Sequence, residues 1–100
     1  MRPILIALAL LTTAGADTRR VLVDGAGCRT RQLAMQRIWE KLPDVEQVTI
    51  LPRDQAPRDN QRYFIIVSRA QGPSQAQLIE ALGRRAKHYK VLEVTPVPDG

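Results

Sequence analysis

The sequence predicts an α+β domain, a four-stranded antiparallel sheet with two helices on one face, and three observations carry that expectation. Short β-prone runs at 20–23, 45–51, 63–67 and 89–94 are separated by two longer stretches in which apolar residues recur at helical spacing. Read in order, they give strand, helix, strand, strand, helix, strand: two strand-helix units joined by a hairpin. The stretch 53–61 is polar throughout and supplies the hairpin connection.

A segment of another kind stands before the first strand. Arg2 gives a positive start, Ile4 to Leu11 an apolar run, and Ala14-Gly15-Ala16 a small-x-small site. These are the three parts of a cleavable export signal, so residues 1–16 are expected to be a signal peptide and residues 17–100 the domain, in a periplasm or secreted. The apolar run falls short of the roughly 20 residues a membrane-spanning helix needs, and no transmembrane segment is expected in the mature chain. The 100 residues carry 15 Lys and Arg against 10 Asp and Glu, a formal charge of +5. Losing Arg2 with the leader takes one from 15 and 16 from 100, leaving +4 on 84 residues, enough for one small core. Export removes nucleic acid from the expected partners, so the charge is read as serving an acidic protein surface, anionic lipid or solubility.

Each element has its own signal. Arg20-Val21-Leu22-Val23 is β-prone and stops at Asp24-Gly25. From Thr30 to Leu42, Leu33, Ala34, Ile38 and Leu42, with Met35 and Trp39 alongside, mark one buried helical face, and Pro43 ends the helix by excluding helical geometry at the residue before it. Val48 and Ile50 alternate with Thr49 in the second strand, which Pro52 closes. Tyr63-Phe64-Ile65-Ile66-Val67 is continuously apolar, as a central strand would be. Ser74 with Gln77 fits a capping box, opening a helix with Leu78, Ile79 and Leu82 on its inner side. Tyr89 to Val94 makes the last strand, and Pro96, Pro98 and Gly100 a frayed tail. Met35 and Trp39 read as core packing.

This order of elements is the ferredoxin-like arrangement. With Gly25-x-x-Cys28 before the first helix, Leu42-Pro43-x-Val45-x-x-Val48 after it and Tyr89-x-Val91 in the last strand, the chain from Arg20 to Val94 resembles a heavy-metal-associated domain. The resemblance implies a binding protein that handles a soft metal such as Cu(I) or Hg(II) through the loop at 25–31, and the leader-like segment adds the expectation that it is exported. Two positions depart from the family pattern. Ala26 stands where the family has a Met beneath the metal loop, and Arg31 where it has the second thiolate.

Cys28 is the one cysteine, and soft cations favour two sulfur donors. An intrachain site therefore needs another ligand. In the resembled fold the loop before the last strand lies beside the metal loop, which makes His88, the sole histidine, the candidate second ligand. Two chains each donating Cys28 to one metal, a dimer through that residue, is the other route. Without a metal, Cys28 is expected near the start of the first helix, where the helix dipole, Arg29 and Arg31 favour the thiolate, so a mixed disulfide or a redox response stays open beside an inert thiol. No resolving cysteine accompanies it.

Arg29, Arg31, Arg84, Arg85 and Lys87 would gather at the same end, with Lys90 and the 53–60 loop. They could dock an acidic protein or a metal-transfer partner, or bind an anion; an ordinary solvated surface is the alternative, since Asp54, Asp59 and Glu93 interrupt the positive field. The Gly25-x-Gly27 pair reads as a tight strand-to-helix turn rather than a phosphate cradle. Asp24 and Glu40 do not make a carboxylate pair, and Cys28 with His88 lacks an orienting acid. No enzyme is expected. The two function readings are soft-metal handling through Cys28 and an interaction module that docks through its basic end.

Overall fold

The computed structural model describes residues 17–98. The expected leader at 1–16 lies outside them. Six main elements follow one another: β1 (Asp17–Asp24), α1 (Arg29–Glu40), β2 (Val45–Ile50), β3 (Gln61–Ser68), α2 (Gln75–Leu82) and β4 (Lys90–Pro96), with 3-10 turns at Arg53–Gln55 and Gly83–His88. The sheet order is β2-β3-β1-β4 and every pairing is antiparallel, the ferredoxin-like βαββαβ fold.

Side-chain alternation along the central strands explains where the core sits. Val21 and Val23 of β1 and Phe64 and Ile66 of β3 are fully buried, and they meet Met35 and Trp39 of α1 and Leu78 and Leu82 of α2 in one cluster. Trp39 ties the layers together. Its ring stands edge-on to Phe64 at 5.2 Å, and its indole N–H donates to the Leu78 carbonyl at 3.1 Å, joining α1 to α2. A buried indole N–H without such a partner would carry a desolvation cost, so the two helices are held in register as well as packed.

Several expectations need correction in detail. Met35 and Trp39 form the centre of the buried face of α1, while Leu33 and Ala34 lie half-buried on its flank. Gln32 shares the buried stripe, four residues before Gln36 and seven before Trp39. On α2, Ile79 is 40% exposed rather than inner. The run at 63–67 is central but two-sided: Phe64 and Ile66 point into the core, and Tyr63, Ile65 and Val67 cover the other, helix-free face, where Arg20 stacks over Tyr63 at 4.7 Å. Continuous apolar character there reflects a second face that is half-buried, because Arg20 and the neighbouring strands shelter it. β1 starts earlier than expected, at Asp17, and β4 runs on to Pro96, which is strand rather than tail.

The early start of β1 has a visible anchor. Asp17 accepts from the Gly72 N–H at 2.5 Å and pairs with Arg19 at 2.9 Å, and Arg19 donates onward to the Pro73 carbonyl at 3.0 Å. The loop between β3 and α2 is thus tied to the first residues of the sheet. Ser74 then opens α2 with the expected capping box.

Candidate functional site

Backbone packing shapes the loop between β1 and α1. Gly25 sits at φ 92°, in the left-handed region where glycine is at ease. A β-carbon there would stand 2.5 Å from the His88 carbonyl oxygen and 3.5 Å from Tyr89 Cα. The N–H groups of Gly25 and Ala26 both donate to the Asn60 carbonyl at 2.9 Å. Gly27 runs against Asp59 and Asn60, where a β-carbon would be 3.0 Å from one backbone and 3.1 Å from the other. Three chain segments therefore meet at this end: the β1–α1 loop, the end of the β2–β3 connection and the start of β4.

Side chains brace the same junction. Asp24 Oδ1 accepts from Asn60 Nδ2 at 2.9 Å and from Gln61 Nε2 at 3.3 Å. Gln32 Nε2, buried, donates to the Ala26 carbonyl at 2.8 Å. The Ala26 methyl is itself fully buried in the core, so the position that departs from the resembled pattern is filled by a small residue closely covered by its neighbours. Arg62 is buried too, its guanidinium donating to the Asp59 and Gln61 carbonyls. A loop held by this many backbone bonds presents its side chains in a fixed direction.

What it presents is Cys28. The residue is the N-cap of α1, with extended backbone, and its thiol is exposed. Its carbonyl accepts from Gln32 N–H at 3.0 Å, but its side chain makes no capping hydrogen bond of ordinary geometry. The sulfur nonetheless faces the first turn. The Arg31 N–H first and the Thr30 N–H second hold the thiol below its usual pKa, with smaller help from the Thr30 hydroxyl and the Arg31 charge. Amide dipoles at a helix start favour an anion, and here the anion they favour is the thiolate.

The structure brings the other candidates to this end in part. Arg31 stands 5.9 Å from the centre of the Tyr89 ring, and the His88 ring lies edge-on to the same tyrosine at 6.5 Å. Arg29, Arg31, Arg84, Arg85, Lys87 and His88 are all exposed, the last four on the 3-10 turn that leads to Tyr89. Two acids of this end are already engaged: Asp59 pairs with Arg53, and Asp24 is bonded to the two amides. Glu93 is set apart on β4, opposite Leu22.

Among the described residues no three of His, Cys, Asp and Glu come together as a metal cage. The loop offers one soft donor. Sequence reasoning missed Asn60 and Gln32, the two residues that hold the loop. Gln32 left a trace, as a polar residue on the 32-35-39 stripe of α1; Asn60 left none, because it acts through its backbone carbonyl as well as its side chain. No protein-family model matches the chain, and no curated protein matches it.

Proposed function

We propose that the chain is an exported binding protein that handles a soft metal cation through Cys28, in a site completed by a second molecule. The observation that carries the reading is the exposed thiol on a braced loop, with amide N–H groups that favour the thiolate. Deprotonated sulfur is the form that binds Cu(I), and one thiolate is half of the two-coordinate set that ion prefers. Metal is cargo here. The second donor comes from a transfer partner or from Cys28 of another copy, and His88, the sole histidine, is the one imidazole the chain could add.

Titration of the reduced protein with Cu(I) against a competing chelator tests this, beside Cys28→Ser and His88→Ala. Tight binding abolished by Cys28→Ser supports the reading; one metal per two chains assigns the second sulfur to another copy. A chain that never competes with the chelator, alone or mixed with a thiol donor, sinks it. Export is checked separately by the intact mass of the protein recovered from the cell envelope and medium, which should begin at Asp17.

One observation favours a second reading. Arg29, Arg31 and Lys87 are exposed around the loop, which suits an acidic protein surface docking there without metal. Under this reading partner association weakens steeply with salt and is indifferent to Cys28→Ser.

A further inference from the structure

At the far end of α1, ~18 Å from Cys28 for a helix of this length, lies a half-open pocket of about 260 Å³. It is formed where the end of α1, the β3–α2 loop and one side of α2 come together. Leu42, Pro43, Pro73 and Ala81 make its apolar walls, two of them rigid pyrrolidine rings. Its charged lining is all of one sign, Asp44 and Glu80, and no lysine, arginine or histidine contributes to it. Among the described residues neither carboxylate forms an ion pair or accepts a side-chain hydrogen bond. In a chain of net charge +5 this is a local reversal of sign.

We propose that this pocket receives a lysine or arginine side chain presented by a partner protein. The volume is below the roughly 300–1,000 Å³ of pockets for drug-sized ligands and suits one extended side chain. A cationic side chain has an aliphatic stem and a charged head, and the pocket lining offers both kinds of surface: apolar groups for the stem and the exposed carboxylates of Asp44 and Glu80 for the head. Gln71 adds an amide at the same mouth. Asp44 is held in place by its backbone, whose carbonyl accepts from the Arg69 N–H at 2.7 Å, so its carboxylate is not free to swing away with the loop. The partner's docking segment is therefore basic, opposite in charge to the partner suited to the Cys28 end, and the chain could hold the two at once.

The test is amide chemical-shift titration of the ¹⁵N-labelled protein with the capped tripeptide acetyl-Gly-Lys-Gly-amide and its arginine analogue. The control replaces lysine by norleucine, which keeps the stem and lacks the charge. The expected result is saturable shifts confined to Asp44, Gln71, Gln77, Glu80 and Ala81, at least fivefold weaker in Asp44→Asn and in Glu80→Gln and absent with the norleucine peptide. Asparagine tolerates the left-handed backbone of position 44, where φ is 67°, so that variant keeps its fold. Shifts of equal size with norleucine, or unchanged in both variants, would overturn the proposal. So would binding of free butylammonium with exclusion of both peptides, which would make the pocket a small-molecule site. Shifts that grow with protein concentration alone would replace the foreign partner with a second copy.

Discussion

The two helices of this domain occupy matching places in the fold and begin in opposite ways. At α2 the Ser74 hydroxyl accepts from the Gln77 N–H at 3.2 Å and the Gln77 side chain accepts from the Ser74 N–H at 2.8 Å, so the first turn is closed by its own side chains. At α1 the N-cap is Cys28, which makes no such bond, and the first turn carries Arg29 and Arg31 with no acid. Cations at a helix start oppose the macrodipole. The first turn of α1 is therefore electropositive and open, and the loop before it is held by Asn60 and Gln32, with Gly25 set close against the backbone of His88, rather than by a cap. Stability of the α2 start is local; that of the α1 start is borrowed from the rest of the domain, which leaves its exposed N–H groups to act on a sulfur.

The largest effect that could break this contrast lies at Gly25. Gly25→Ala forces a side chain into the left-handed region and puts its β-carbon against a backbone oxygen that cannot move aside. We expect a loss of about 3 kcal/mol in urea-induced unfolding, at the upper end of what a strained backbone position costs. A loss below about 1 kcal/mol would show that the loop is not braced by the close approach to His88. Ser74→Ala should cost about 1 kcal/mol in the same assay, the usual effect of losing an N-cap oxygen. That loss should leave the reactivity of Cys28 unchanged, because the two helix starts lie on different elements with separate partners.

How much of this was legible in sequence follows the same divide. Ser74 and Gln77 announce the α2 start because a capping box is made of side chains at fixed spacing, and Pro43 announces the end of α1 for a similarly local reason. The order of elements was readable because each carries its own period. The exposed position of Cys28 was not, since it depends on Asn60, more than thirty residues away in the chain, accepting two N–H bonds through its backbone. Leu33 and Trp39 illustrate another limit. Both are apolar at helical spacing, and which is buried depends on where Phe64 of β3 lies, a contact no window along α1 contains. The pocket at Asp44 and Glu80 was hidden for the same reason: its walls come from three stretches of chain.

Cys28→Ser sharpens the comparison with a smaller effect and the opposite sign. Serine is among the favoured N-caps, and its hydroxyl would accept from the first-turn N–H groups that the thiol leaves without an ordinary bond. We expect the variant to be more stable by about 0.5 kcal/mol. Thiols at this position are thus not explained by the stability of the helix. A destabilised variant would mean that the sulfur itself packs or caps, and that the two helix starts differ less than their geometry indicates.

The finest test separates the dipoles of the α1 start from its charges. Because the folded thiol lies below its usual pKa, the thiolate's contribution to stability is present above the unfolded value of roughly 8.5 and is lost as pH falls through the lower folded value. The rate of alkylation by iodoacetamide, followed against pH, reads the folded value directly, and its midpoint should lie below that of a free cysteine. Arg31→Ala removes the charge but keeps the N–H, and should move the midpoint up only slightly, since the charge is the smallest of the causes. Arg31→Pro removes the N–H as well, at a first-turn position where that group has no partner within the helix and proline is tolerated. It should move the midpoint further. Equal shifts in the two variants would assign the thiolate to the guanidinium instead, and the contrast between the two helices would then be one of surface charge rather than of an open and a closed first turn.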